Sequence, residues 1–153
     1  MIKIFSFHCF NNNCLCIFRL FFLKKMVAKI TEGVKVMVST EFQPDYSNPS
    51  QSHFVFTYRI VIENNSPYTV QLIRRHWMIS DSFGEKREIE GDGVVGQQPI
   101  LEPGESHEYV SGCNLKSGIG KMVGAYTMRR ILDSQEFLVN IPEFSLIVPW
   151  RNN

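Results

Sequence analysis

The most suggestive chemical motif in the chain is a glycine-rich stretch, Gly91-Asp-Gly-Val-Val-Gly96. Its spacing fits G-x-G-x-x-G, in which backbone amides and a helix N-terminus approach the pyrophosphate of a dinucleotide. Such a loop must open a helix inside a βαβ unit, but Pro99 follows closely and no amphipathic helical pattern comes next. We therefore interpret the stretch as a surface loop whose glycines adopt positive φ angles and whose valines pack at the edge of the fold.

This loop is the predicted interaction surface, because loops on a rigid scaffold carry function and three glycines in six residues are costly unless their geometry is needed. The two glutamines that follow have amide side chains able to donate and accept hydrogen bonds. An alternative remains open, in which exposed amides of the loop bind a nucleotide or polyphosphate. The candidate binding residues are Gly91, Asp92, Gly93, Gly96, Gln97, Gln98 and Arg75.

A second cluster, Arg74-Arg-His-Trp77, combines guanidinium groups with an aromatic ring, a combination that suits phosphate or carboxylate. Alternation along a strand separates these side chains, because Arg75 and Trp77 share one face while Arg74 and His76 share the other. The cluster is therefore not one basic patch. We predict that Trp77 lies in the core and that Arg75 lies at the edge of the core.

Five carboxylates between residues 81 and 92 suggest a metal site. Their spacing does not fit an EF-hand loop, and no pair of histidines accompanies them. A solvated, charged hairpin is the favoured interpretation, with no metal ligands and no cofactor. The carboxylates are those of Asp81, Glu85, Glu88, Glu90 and Asp92.

The sequence offers little for catalysis. Cys113 lies six residues from His107, but a thiol nucleophile needs a histidine placed by the fold and an oxyanion site, and neither is indicated. The chain also lacks G-x-S-x-G and H-x-x-x-H motifs. We expect no catalytic residue, a buried and inert Cys113, and a protein that is not an enzyme.

These residues lie among short strands separated by turns. The period-2 pattern predicts a strand over Phe54 to Ile62. Every second residue from Phe54 onwards is aromatic or aliphatic, and these residues share one face. In the stretch from Thr69 to Ser80, alternation places Gln71, Ile73, Arg75, Trp77 and Ile79 together. Seven or eight such strands, with turns every 8 to 12 residues and no crossover helix, predict an all-β antiparallel sandwich.

Residues 1–25 differ from the rest of the chain, holding six of the twelve Phe and three of the four Cys. The longest apolar run there is ten residues and contains Arg19, which is too short to cross a bilayer. We predict an over-extended start outside the fold, with the domain over residues 26–153; an uncleaved anchor or a targeting peptide is the alternative. We therefore predict that the protein does not bind a membrane.

Charge and cysteine content limit the partners and the compartment. Residues 26–153 hold twelve basic and fifteen acidic side chains, a net charge of −3, although the whole chain carries +1. An acidic body releases no counterions from DNA or RNA, so we expect no nucleic-acid partner. Only Cys113 remains beyond residue 25, which agrees with a reducing compartment.

Six separated motifs give the chain a family resemblance. The strings QLIRRHW, EGDGVVGQQP, LEPGE, YVSG, GKMVGAYTM and FLVNIPEFSL, in this order, resemble the ApaG family over about residues 30 to 150. The resemblance implies a fibronectin type III-like, immunoglobulin-like sandwich and a cytoplasmic location, as in the bacterial members. It also implies an indirect connection with cobalt resistance and magnesium efflux.

The family resemblance also favours a binding role, because similar domains occur in eukaryotic F-box and polymerase-interacting proteins. We therefore expect a non-enzymatic module that binds another protein of unknown identity. Its oligomeric state is open, and a homodimer is one possibility. Fold analogy alone does not decide the function, since this sandwich hosts many unrelated activities.

Overall fold

The structure is a computed structural model that describes residues 26–151, so the predicted over-extended start, residues 1–25, lies outside it. Within the described residues, no helix is long and apolar enough to span a membrane. The strands are β1 (Met26–Thr31), β2 (Val34–Phe42), β3 (Phe54–Asn64), β4 (Val70–Asp81), β5 (Lys86–Asp92), β6 (Ile100–Leu101), β7 (Ser106–Leu115), β8 (Ile119–Arg130) and β9 (Glu136–Ile147). Single 3-10 turns cover Pro44–Tyr46, Pro49–Gln51 and Pro149–Arg151.

Two antiparallel sheets pack face to face. One has the strand order β1-β2-β3-β7 and the other the order β5-β4-β8-β9, with the short β6 also paired to β4. This confirms the predicted all-β sandwich. The nine strands exceed the predicted seven to eight. One of those not predicted is β5, whose exposed charges concealed it, as is common at the edge of a sheet.

The core lies between the inner faces of the two sheets. The predicted inward face of β3 is confirmed, because Phe56, Ile60 and Ile62 are fully buried there. From the opposite sheet, Trp77 places its indole 5.6 Å from the ring of Tyr58, in an edge-to-face arrangement, and is 2% exposed. The prediction that Trp77 is a core residue is therefore confirmed.

A β-bulge in β4 changes which of its residues face inward. The register of β4 against β8 shifts directly after Leu72. Before the bulge, Val70 and Leu72 are buried, so the predicted inward positions Gln71 and Ile73 are wrong. After the bulge, the predicted face holds at Trp77. The extra residue of a bulge reverses the alternation, and a period-2 pattern cannot show this.

The two lateral sides of the sandwich differ. On the closed side, β9 approaches β1 and β2, where the Asn140 amide donates to Thr31 Oγ1 at 3.2 Å and Thr40 Oγ1 donates to the Ser145 carbonyl at 3.4 Å. On the open side, the edge strands β5 and β7 leave a cleft between the sheets. The predicted interaction loop begins at the end of β5, so it lies next to this open side.

Candidate interaction site

The glycine motif forms a tight hairpin turn after β5. The Val94 amide donates to the Gln97 carbonyl at 2.8 Å, and the Gln97 amide donates back at 3.0 Å. The central residues, Val95 and Gly96, have φ angles of +48° and +75°, as in a type I′ turn. Such turns favour Asn-Gly, and a β-branched residue at positive φ is an outlier. Val95 is also 63% exposed, whereas Val94 is buried as predicted.

Two glycines of the motif have different structural roles. Gly93 has a φ of +58°, and a Cβ at this position would clash with the Gln97 carbonyl oxygen. Gly91, by contrast, lies within β5 and has no positive φ, so the prediction is wrong for this residue. A Cβ on Gly91 would lie 2.9 Å from Nη2 of Arg75. Gly91 therefore makes room for the guanidinium of its cross-strand neighbour.

Arg75 connects β4 to the hairpin. Its Nη1 donates to the carbonyls of Asp92, at 3.0 Å, and Gly93, at 2.8 Å. The structure thus places Arg75 at the edge of the core, as predicted, and brings it to the glycine motif. These two bonds hold the base of the hairpin in one position, because a guanidinium is a planar donor of fixed geometry.

The two glutamines of the hairpin, Gln97 and Gln98, have different roles. Gln98 Nε2 donates to the Ile73 carbonyl at 2.8 Å, so this side chain is an anchor and not the free donor that the sequence suggested. Gln97 and Asp92 are exposed, as Val95 is. Sequence reasoning missed Val95 as a site residue. The available signal was a valine directly before glycine at the centre of a two-residue turn.

The hairpin does not present a phosphate cradle. The amides of Gly93, Val94 and Gln97 already donate to main-chain carbonyls, that of Gly93 to Ile73 at 2.9 Å. The chain continues into the short strand β6 and not into a helix. The motif is a surface loop, as interpreted from the sequence. These three amides are not available to a nucleotide, and the nucleotide alternative stays a prediction.

Among the carboxylates, Asp81 is not part of a solvated hairpin, and that part of the prediction is wrong. Its side chain is buried and accepts hydrogen bonds from the amides of Phe83 (2.9 Å), Lys116 (2.7 Å) and Ser117 (3.1 Å) and from the Ser117 hydroxyl (2.5 Å). Burial raises the pKa of Asp81, but these hydrogen bonds lower it by more, so the net pKa is below its usual range. Asp81 joins the end of β4 to the β7–β8 turn.

The outer face of the β4–β5 pair carries a different cluster. His76 Nε2 lies 2.6 Å from Glu88 Oε1 and 4.0 Å from Glu90 Oε1, a set of three possible metal ligands. The sequence indicated no histidine partner for these carboxylates, because cross-strand pairing, not spacing, supplies it. Both carboxylates are largely exposed, so the absence of a tight metal site stays a prediction.

Cys113 is buried, as predicted, and burial raises the pKa of its thiol although the nearby Arg87 lowers it. His107 lies on the same strand, six residues away, which corresponds to about 20 Å. The two side chains therefore cannot act as a thiol–imidazole pair.

Comparisons with known proteins agree with the fold. The family model of the ApaG domain matches residues 44–130. The ApaG protein of Brucella canis is 44% identical over 124 residues, which cover 81% of this chain and 95% of that protein, and the ApaG protein of Paramagnetospirillum magneticum matches to the same extent. The crystal structure of the ApaA protein of Bordetella pertussis superposes with a TM-score of 0.73 at 43% identity, over 76% of this chain and 94% of the other.

The family model therefore spans more than half of the chain, and the relatives match over nearly their whole length. The match includes β4, β5 and the hairpin between β5 and β6. By sequence and by fold, the chain belongs to the ApaG family.

Proposed function

We propose that the chain is a non-enzymatic protein-interaction module whose binding surface is the hairpin tip, formed by Asp92, Val95 and Gln97. The observation that carries this proposal is the conformation of Val95. A valine at φ +48° costs roughly 1–2 kcal/mol relative to a residue that tolerates the left-handed region. Its exposed side chain regains little of this by burial within the chain. The fold does not explain why a valine occupies this position. A contribution of its side chain to binding a partner would explain it.

The surroundings of Val95 support this role. Asp92 and Gln97 are exposed polar residues of the same hairpin, so the surface we propose has an apolar centre with polar residues around it, as interfaces do. Hydrogen bonds from the Arg75 and Gln98 side chains connect the base of the hairpin to β4. A loop already ordered loses less conformational entropy on binding, which favours affinity.

The proposal includes a cytoplasmic location and no cofactor. The expected connection with cobalt resistance and magnesium efflux, which depends on the family resemblance, would then be indirect and act through the partner. The buried Cys113, with its raised thiol pKa, supports a role without catalysis. A second copy of the chain is one candidate partner, which measurement of the molar mass in solution would reveal.

The test is affinity capture from the native cytoplasm with the full chain, followed by titration of each captured protein in purified form. Val95→Asn should raise the unfolding temperature, because Asn tolerates positive φ, and should weaken binding at least tenfold. The matched control is Phe83→Asn, which removes a side chain 72% exposed at the other end of β5 and should leave binding unchanged.

A second variant tests the polar rim. The double change Asp92→Ala and Gln97→Ala should alter stability by less than about 0.5 kcal/mol and should also weaken capture. If both hairpin variants retain every partner at wild-type levels, the hairpin is purely structural and the proposal is wrong.

A further inference from the structure

The cleft on the open side of the sandwich has a distinctive lining. It has a volume of about 190 Å³ and lies between β5 and β7, with Trp77 among its apolar walls. Its polar lining consists of Arg75, Arg87, Tyr58, Ser111 and Asn114, together with the thiol of Cys113. None of the lining residues, all within residues 26–151, is acidic. The volume is below that of pockets for drug-sized molecules, so the cleft suits a small ligand.

Arg75 and Arg87 differ from the other four arginines on the described strands in having no ion pair. The other four pair as follows: Arg59 with Glu108, Arg74 with Asp92, Arg129 with Glu136 and Arg130 with Asp133. Arg75 and Arg87 form none with the carboxylates of residues 26–151, and both line the cleft. The two strand arginines without an ion pair are thus the two that line this cleft. Arg87 also lines the adjoining hollow, together with Asp81 and Glu85, but forms an ion pair with neither.

Neutral groups hold both guanidinium groups in place. Arg75 donates to the carbonyls at the base of the hairpin, and Arg87 Nη2 donates to the Asn114 carbonyl on β7. Carbonyl groups orient a guanidinium but leave its charge uncompensated, which favours an anion beside it. In the adjoining hollow, the Asp81 carboxylate accepts bonds from the β7–β8 turn and Glu85 pairs with Lys116 at 3.0 Å.

The arginine charges affect the hydroxyl groups that line the cleft. The Arg75 charge favours ionisation of the Tyr58 hydroxyl, although burial keeps the pKa of this group raised. The Ser111 side chain also lowers the pKa of Tyr58, and the hydroxyls of both residues line the cleft with the two arginines. Hydroxyl donors beside guanidinium groups are a suitable set for phosphate or carboxylate oxygens.

The sheet register separates the arginines. Arg75 pairs with Gly91, and Arg87 pairs with Ile79, so the two positions are four residues apart along the sheet. This corresponds to about 13 Å between their Cα atoms along the strand direction. This Cα spacing is much longer than a single phosphate or carboxylate group, so we expect a ligand that contacts both guanidinium groups to carry two anionic groups.

We propose that the cleft between β5 and β7 binds a small dianion, either a diphosphate or a dicarboxylate, with one anionic group at Arg75 and the other at Arg87. This site is separate from the hairpin tip and goes beyond the proposed protein-binding role. The shared chemistry is recognition of two oxyanion groups by two guanidinium groups.

The test titrates the full chain with pyrophosphate, succinate, inorganic phosphate and acetate at constant ionic strength, by calorimetry and by NMR of the arginine Nε–Hε groups. We expect saturable binding of pyrophosphate or succinate at least tenfold tighter than that of acetate. The stronger of the two identifies the ligand as phosphate or carboxylate. The resonances of Arg75 and Arg87 should shift, whereas those of Arg59 and Arg74 should not. Absence of saturable binding by either dianion would overturn the proposal.

Variants localise the site. Arg87→Gln should weaken dianion binding at least tenfold, whereas Lys86→Gln, the same charge change on the next residue of β5, should not. Equal affinities in these two variants would overturn the proposal. Val95→Asn should leave dianion affinity unchanged, so failure at the hairpin and failure at the cleft are distinguishable. Should Arg87→Gln unfold, the wild-type arginine shifts decide the outcome.

Discussion

The closed and open sides of the sandwich show how one fold separates stability from recognition. On the closed side, β9 turns Val139, Ile141 and Leu146 inward, all of them fully buried, and its edge approaches β1 and β2. On the open side, the inward positions of β5 are Arg87, Ile89 and Gly91. A charged residue, a half-exposed aliphatic residue and a glycine cannot fill the space between two sheets, so the sheet edges stay apart there.

The open side therefore follows from the residues that β5 places in its inward positions. Uncompensated charge, the strained hairpin and the buried Asp81 all lie on or beside β5. We therefore expect changes in the shared core to affect stability most, and changes on the open side to affect binding more than folding.

The largest expected effect is that of Trp77→Ala, which tests whether the floor of the cleft is packed like the core. The indole contacts Tyr58 from one sheet and lies 5.9 Å from the ring of Phe144 on β9. Truncation should lower the free energy of unfolding by about 3–5 kcal/mol in urea denaturation. Trp150→Ala, at a position 57% exposed, should cost less than about 1 kcal/mol. A loss below about 2 kcal/mol for Trp77 would mean that the open side is loosely packed.

Asp81→Asn tests the polar anchor at one end of the open side. Loss of the charged acceptor should destabilise the protein by about 1.5–3 kcal/mol at pH 7. Because the pKa of Asp81 is lowered in the folded state, its contribution is present above the ordinary value of about 3.9 and is lost as the pH falls through the folded pKa. Urea denaturation of both proteins between pH 7 and pH 2 should show the difference shrinking with acid.

The control for this prediction is Asp92→Asn, whose exposed carboxylate lies 3.6 Å from Arg74. Exposed pairs contribute little, so this change should cost less than about 1 kcal/mol. A stability difference between wild type and Asp81→Asn that is independent of pH would contradict the assigned role.

Gly93→Ala compares two glycines of the same hairpin. A Cβ at Gly93 meets the Gln97 carbonyl, whereas one at Gly96 meets open space, although both have positive φ. Gly96→Ala should cost about 1 kcal/mol and Gly93→Ala more, up to about 3 kcal/mol, in thermal unfolding. Equal losses would show that the base of the hairpin yields easily and that Arg75 does not hold it.

The smallest expected effect concerns the exposed cluster of His76, Glu88 and Glu90. Titration with cobalt or magnesium should give at most millimolar, salt-sensitive binding, because the carboxylates are exposed and no closed ligand set surrounds them. His76→Ala should change stability by less than about 0.5 kcal/mol. Micromolar calorimetric binding that this variant abolishes would instead establish a metal site on the outer face.

The strand pattern and the core were predictable because they depend on local periodicity. Phe56, Ile60 and Ile62 are an even number of residues apart, so a strand places them on one face, and that face is buried. The same holds for Trp77 and, through the glycine motif, for the existence of the loop, although its hairpin geometry was not predicted. Arg75 was predicted as a site residue, but its bond to Gly93 was not, because the two are distant in sequence.

By itself, the sequence determined an all-β sandwich, its family and the position of its main loop, since these follow from alternation, turn residues and motif order. Only the tertiary structure decided the bulge after Leu72, the pairing of His76 with Glu90, and the cleft that Arg75 and Arg87 share. Each of these features depends on the register between paired strands, and residues adjacent in sequence do not determine that register. Register emerges from the packing of both sheets together, and a single residue of shift reverses which side chains meet.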